Sequence, residues 1–205
     1  MRTRDYDKQR RIKESMVRLI LRDGLGGASV AKIARDAGVS PATIYVYYDS
    51  KETMLAEVYR ECSHESYNYL QGMIRPGMSG SELIETIVRG FYTYTMEHEE
   101  VFSFVEQCTR CPSVTEEVSL QECCCGIFDL IHEYQRRGIL RGFSDQNYVA
   151  VLFAPVRYLA SKRGCGCAPA DEPVSTCATT SEATDAERQL NELVQMLQYL
   201  LVAGE

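Results

Sequence analysis

Five residues, Ala37-Gly38-Val39-Ser40-Pro41, constrain the fold of this chain more than any other stretch. A glycine can take the left-handed backbone that closes a helix without a Cβ penalty. Two residues later a serine hydroxyl can cap the next helix, and proline fills the first helical position, where its missing N–H costs nothing. One helix must stop and another must start within a few residues. Upstream, Ser29 caps a short helix over 30–37, with Ile33, Ala34 and Ala37 on one side. Downstream, a second short helix runs through Tyr47. Ahead of both, Ile12, Met16, Leu19 and Ile20 recur at helical spacing between Lys8 and Asp23, and Gly24, Gly26 and Gly27 end that helix.

The pattern stays helical to the C-terminus, with no convincing run of strand-like alternation. A helix from Lys51 to Met73 carries Leu55, Val58 and Cys62 on one face. The segment RPGMSGS, residues 75–81, breaks helix and marks an expected boundary between domains 1–73 and 74–205. Helices then follow over 81–97, 100–108, 113–137, 145–163 and 184–203. Ser113 with Glu116 fits a capping box, Gly138 stops its helix, and Pro155 predicts a kink. Residues 164–184 read as a loop rich in Gly, Pro, Ser, Thr and Ala. In the last helix Leu190, Val194, Leu197 and Leu201 form one stripe. The fold class expected is all-α: an N-terminal three-helix helix-turn-helix domain, then a C-terminal helical domain.

Charge is divided unevenly. The 205 residues carry a net charge of −7. Residues 1–60 hold 12 Lys+Arg against 8 Asp+Glu, and the remainder hold 10 against 21. A basic N-terminal segment on an acidic body points to a polyanion-binding end. A helix-turn-helix places its second helix in the major groove. In that helix Ile44 and Tyr48 share a face with Val39 and pack inward, leaving Pro41, Ala42, Thr43, Tyr45, Val46 and Tyr47 outward. Tyrosine hydroxyls, Thr43 and Lys51 suit phosphate oxygens, and both helix N-termini add N–H donors. Pro41, Ala42 and Val46 offer no polar atoms and match thymine methyls. Lys32 is the nearest long donor on the preceding helix.

The stretch ASVAKIARDAGVSPATIYVYYDSKETMLAEVY resembles the N-terminal domain of TetR-type transcriptional regulators. Ala37, Gly38, Val39, Ser40, Thr43, Ile44, Tyr45, Tyr47, Tyr48, Lys51 and Glu52 match the family pattern, while Ala42 stands where a glycine is common. The resemblance covers about residues 8–60. It implies an all-helical homodimeric repressor whose central domain binds a small-molecule or ion effector. Double-stranded operator DNA is the implied partner. Thr43, Tyr47 and Lys51 match phosphate contacts, Tyr45 a backbone or base-edge contact, Ala42 a base-facing position, and Ser29 a helix start at a phosphate. The last two helices would form a four-helix dimer interface, with Leu190, Val194, Leu197 and Leu201 as its stripe. Spacing alone leaves open that this stripe closes the core of a single chain. Recognition helices one DNA turn apart, roughly 34–36 Å, would grip a palindrome.

The effector is less constrained. The aromatic residues of 81–163, among them Phe91, Phe104, Phe128 and Phe153, could enclose an apolar pocket for an organic molecule or fill a core. Nine cysteines offer a second chemistry. Cys108 and Cys111 are a C-x-x-C pair at a helix end, and Cys165, Cys167 and Cys177 sit in the loop. Close-spaced thiols suit a soft metal or metalloid ion, or a thiol–disulfide switch. Cys123, Cys124 and Cys125 diverge by about 100° each on a helix and cannot share one site. No other cofactor is implied. A thiol oxidoreductase would need a βαβ pattern around Cys108, which is missing, so no enzyme is expected. A metal-buffering or protein-interaction module with a degenerate DNA-binding domain is the remaining rival. No stretch of roughly 18 apolar residues would cross a membrane. The N-terminal MRTRDYDKQRR lacks the apolar run of a signal peptide, so the expected compartment is the cytoplasm.

Overall fold

Local capping explains several of the helix ends. The computed structural model describes residues 2–109, 111, 114, 120–164 and 180–204, excluding the side chains of 2–5, 120–125, 162–164 and 180–184. Among these residues the helices are α1 (Arg2–Gly27), α2 (Val30–Ala37), α3 (Pro41–Tyr47), α4 (Lys51–Met73), α5 (Gly80–Glu97), α6 (Glu99–Thr109), α7 (Leu120–Arg136), α8 (Asp145–Leu152), α9 (Ala154–Gly164) and α10 (Thr180–Leu201). The all-α fold class expected from the sequence is what the structure has. Its only extended pairing among the described residues is an isolated bridge between Leu140 and Val202. No helix of the described residues is long and apolar enough to cross a membrane.

The chain packs as two units. The first comprises Met1–Tyr67 and His98–Cys125, the second Asn68–Glu97 and Gly126–Glu205. Chain order does not follow this division, because α6 lies against α1.

In the first unit α1 packs on α2 and α6, and α2 on α3. The expected inward face of α1 is buried: Ile12, Met16, Leu19 and Ile20 are all within the core. So are Ile33, Ala34 and Ala37 of α2, and Ile44 of α3. Helix α1 begins well before Lys8, and Gly24 (φ 73°, ψ 171°) interrupts it ahead of a last turn. Ser29 Oγ accepts from the Lys32 amide at 3.3 Å, and Ser40 Oγ from the Thr43 amide at 3.1 Å. Gly38 (φ 66°, ψ 38°) closes α2, with its own amide on Arg35 O and the Val39 amide on Ala34 O at 2.9 Å. A left-handed residue with a Cβ costs about 1–2 kcal/mol. Gly38→Ala is therefore expected to lower unfolding stability by about that much, read as a shift in denaturant midpoint at unchanged slope.

In the second unit α5 packs on α9 and α10, and α9 on α8 and α10. Helix α5 opens with a capping box: Glu82 Oε2 accepts from the Ser79 amide at 2.7 Å, and Ser79 Oγ from the Glu82 amide at 3.2 Å. Gly138 (φ 71°) closes α7, as expected. The box expected at Ser113 and Glu116 lies outside the described residues. Instead of one kinked helix over 145–163, two helices meet at Phe153. Proline at 155 has no N–H for the carbonyl four residues back, so the ladder ends there and a new helix starts. The Phe153 ring meets Phe91 edge-on at 4.9 Å. Arg89 ties α5 to α10 through Glu187 at 2.9 Å and through Asn191. The C-terminus is held by the Arg141 amide on Leu201 O at 2.8 Å and the Ala203 amide on Ile139 O at 2.9 Å.

The stripe Leu190, Val194, Leu197 and Leu201 is at most 4% exposed within the chain itself. Within the single chain α10 packs on α5, and burial of this face removes its apolar area from water. The outward apolar residues of α10 are Met196 (68% exposed), Tyr199 (86%) and Leu200.

Candidate nucleic-acid interface

Helix α3 is only seven residues long, so its two faces are sharply divided. Ile44 and Tyr48 point inward, and burial pushes the Tyr48 hydroxyl up to about 12. Its ring lies 6.4 Å from that of Tyr47. Pro41, Ala42, Tyr45 and Val46 form the outward face, with Tyr45 56% and Val46 78% exposed. Thr43 and Tyr47 are half-buried on the flanks. The Thr43 hydroxyl shares a hydrogen bond of 2.9 Å with the Ser40 hydroxyl. Of the six residues expected outward, Pro41, Ala42, Tyr45 and Val46 are exposed, while Thr43 and Tyr47 are half-buried.

The two lysines have partners that spacing did not reveal. Lys51 Nζ donates to Leu25 O at 2.7 Å. Lys32 Nζ donates to Gly27 O at 2.9 Å and to Asp23 Oδ2 at 3.1 Å. Both ammonium groups thus clasp the glycine-rich last turn of α1. Hydrogen bonds from Arg22 and Lys32 hold the Asp23 carboxyl far below the usual carboxylate range. An ammonium has three N–H donors, so Lys51 keeps donors for a phosphate beside its carbonyl bond.

Sequence reasoning missed Arg11. Its Nη1 donates to Ala37 O at 3.1 Å, satisfying the last carbonyl of α2. It also lies 3.4 Å from where a Gly38 Cβ would stand. Arg18 pairs with Asp36 at 2.8 Å, and Lys13 with Glu65. Much of the basic charge of α1 is therefore balanced within the first unit. The basic character of residues 1–60 is a surplus over these pairs.

The cysteines sit in contrasting places. Cys62 and Cys108 are fully buried, and desolvation pushes both thiols up to about 12. Protonated buried thiols are poor nucleophiles and poor ligands. Both are expected to resist N-ethylmaleimide in the native protein near neutral pH and to react fully in denaturant. Peptide mass spectrometry reads this, and fast native labelling of Cys108 would contradict its burial. Cys111 is half-buried. Cys165, Cys167 and Cys177 lie outside the described residues. Among the described residues, no group of three His, Cys, Asp or Glu side chains is placed to hold a metal ion.

A cleft of about 600 Å³ opens in the second unit, lined by Arg75, Asp129, Glu133, Tyr134, Arg136 and Arg137 among others. Arg137 lies over the Tyr134 ring at 5.3 Å, and its Nη1 is 3.7 Å from Glu133 Oε1. Three guanidinium groups against two carboxylates leave the mouth positive.

Residues 14–58 match the family described as bacterial regulatory proteins, tetR family. A fatty acid metabolism regulator protein of Bacillus subtilis (strain 168) is 27% identical over 81 residues, 40% of this chain and 42% of that protein. Among solved structures, a TetR family transcription regulator from Marinobacter aquaeolei VT8 superposes with a TM-score of 0.78 at 21% identity, over all of both chains. The transcriptional regulator FadR from Bacillus subtilis, in complex with stearoyl-CoA, gives 0.61 at 16% identity, covering 91% of this chain and 96% of that one. These likenesses extend the shared fold along almost the whole chain.

Proposed function

We propose, on the premise that this chain is a transcriptional regulator of the tetR family, that it is a homodimeric repressor released from a palindromic operator by an organic effector. The outward face of α3 carries this reading: exposed Tyr45 and Val46 stand on a helix whose other side is locked into the core. Residues 1–73 would hold the operator, and 74–205 the effector and the second copy. Ser29, Thr43, Tyr47 and Lys51 would meet phosphates, with Lys32 beside them. Pro41, Ala42 and Tyr45 would face bases or backbone. Met196, Tyr199 and Leu200 of α10 share one face at helical spacing and stand exposed, as does Tyr158 of α9. Exposed apolar clusters of this kind mark protein–protein contacts. They support the dimer through this face.

The effector would be an amphiphile with an anionic head, of the acyl-CoA class. The positive mouth of the cleft supports it, as does the fold shared with a regulator that holds stearoyl-CoA. The deep, protonated Cys62 and Cys108 weigh against a thiol effector at those residues. An effector acts by preferring one of two spacings of the recognition helices, and weakens DNA binding by that difference.

The test is fluorescence anisotropy of the full chain on DNA from its own upstream region, under reducing conditions. Affinity should fall steeply with salt. Lys51→Ala should flatten the log–log salt slope by roughly 1. It should also cost about 1 kcal/mol of stability through the lost Leu25 bond. Acyl-CoAs of graded chain length should release the DNA. Zn(II), Cu(I), arsenite and a thiol oxidant should not. Release by one of these, lost in a Cys165→Ser, Cys167→Ser, Cys177→Ser variant, would instead make the protein a thiol sensor. DNA binding insensitive to salt would sink the regulator mechanism itself.

A further inference from the structure

From the chemistry of the outward face of α3 we infer that this protein recognises its operator through the 5-methyl groups of thymine, using Ala42 and Val46. The inference rests on the DNA-binding reading above. Positions 42 and 46 are four apart and lie side by side on one face of a helix. Both are exposed, Val46 at 78%. Pro41 and Tyr45 are the next such pair, and together the four side chains make one continuous patch.

What the patch lacks decides how it reads. From Val39 to Tyr48 the chain carries no Lys, Arg, Asn, Gln, His, Asp or Glu. Guanine is ordinarily read by a bidentate arginine or lysine, adenine by a bidentate asparagine or glutamine, and cytosine by a carboxylate. None of these pairings is available to α3. The neighbouring Lys32 and Lys51 are spent in part on Gly27 O, Asp23 and Leu25 O, and so are held back toward the end of α1. The remaining major-groove signal that methyl and methylene groups can sense is the thymine methyl. Thr43 also carries a methyl, but it is half-buried and its hydroxyl is engaged with Ser40. Ala42 and Val46 are left as the contacting pair, with the Tyr45 hydroxyl able to reach a backbone oxygen or a base acceptor.

The experiment uses the full-length protein and a duplex selected by it from a randomised pool. Each thymine of the selected site is replaced in turn by deoxyuridine, which removes the methyl and leaves every hydrogen-bonding group in place. Affinity is read by anisotropy. The expected result is a loss of about fourfold per methyl, confined to one or two thymines of each half-site. In Val46→Ala the loss should vanish at one of those thymines and persist at the other. Val46 is too exposed for this change to disturb folding, and circular dichroism serves as the control. Uniform indifference to deoxyuridine overturns the inference, as does an undiminished loss in Val46→Ala at every position, or a selected site without recurring thymines. Failure to select any DNA would overturn the regulator reading instead, so the two failures are distinguishable.

Discussion

Replacing Val46 with glutamate is expected to weaken operator binding by about 100-fold or more while leaving the fold untouched. At 78% exposure the valine contributes little to packing, and surface substitutions of this kind usually stay within about 0.5 kcal/mol of neutral. In the complex, however, the position would face the floor of a groove lined by phosphates. A carboxylate there loses water and gains no cation, because α3 supplies none. Like-charge juxtaposition at an interface costs several kcal/mol, and a dimer would incur it twice. Anisotropy on the operator should show the loss, and a urea titration should show an unchanged midpoint. Wild-type affinity in Val46→Glu would place α3 outside the groove and remove the docking geometry on which the regulator mechanism stands.

The second large effect separates the two faces of α10. Met196→Glu with Tyr199→Glu is expected to give a folded monomer whose operator affinity drops by about 10²–10⁴, the gain that linking two half-site contacts confers. Both side chains are exposed in the single chain, so the charges are harmless there and unfavourable only against a second copy. Leu197→Ala makes the contrast. It is 4% exposed, against the chain's own core, and truncating a buried leucine costs about 2–5 kcal/mol. It should lower thermal stability strongly and shift the dimer equilibrium only through unfolding. Sedimentation at matched concentrations distinguishes the two variants. A dimer that survives the double glutamate change would locate the interface elsewhere.

The legible features share a physical origin. Ser29, Gly38, Ser40 and Pro41 set the ends of α2 and α3 through bonds that span three to five residues, so their roles can be read from residue type and spacing. The division of α3 into Ile44 and Tyr48 inward against Tyr45 and Val46 outward follows the same logic, since its period is that of a single helix. The capping box at Ser79 and Glu82 follows the same local logic, in the stretch S-G-S-E at the end of the helix-breaking segment 75–81.

Other features could not be read this way, because both faces of a helix can look amphipathic. The stripe Leu190, Val194, Leu197 and Leu201 and the set Met196, Tyr199 and Leu200 are both apolar. Contact with a helix about one hundred positions earlier decides which is inside; the Arg89–Glu187 pair spans 98 residues. Lys51 and Lys32 found their carbonyl partners on a turn that spacing alone describes only as glycine-rich. Cys108 became a buried, protonated thiol because α6 lies against α1, which no C-x-x-C spacing encodes. The sequence by itself determined the helix-turn-helix stretch, its caps and the outward face of α3, since these are closed by short-range bonds. The tertiary structure alone decided which apolar stripe is core, which lysines are partly engaged and which thiols are out of reach. Those outcomes depend on which surfaces lose water when distant segments meet.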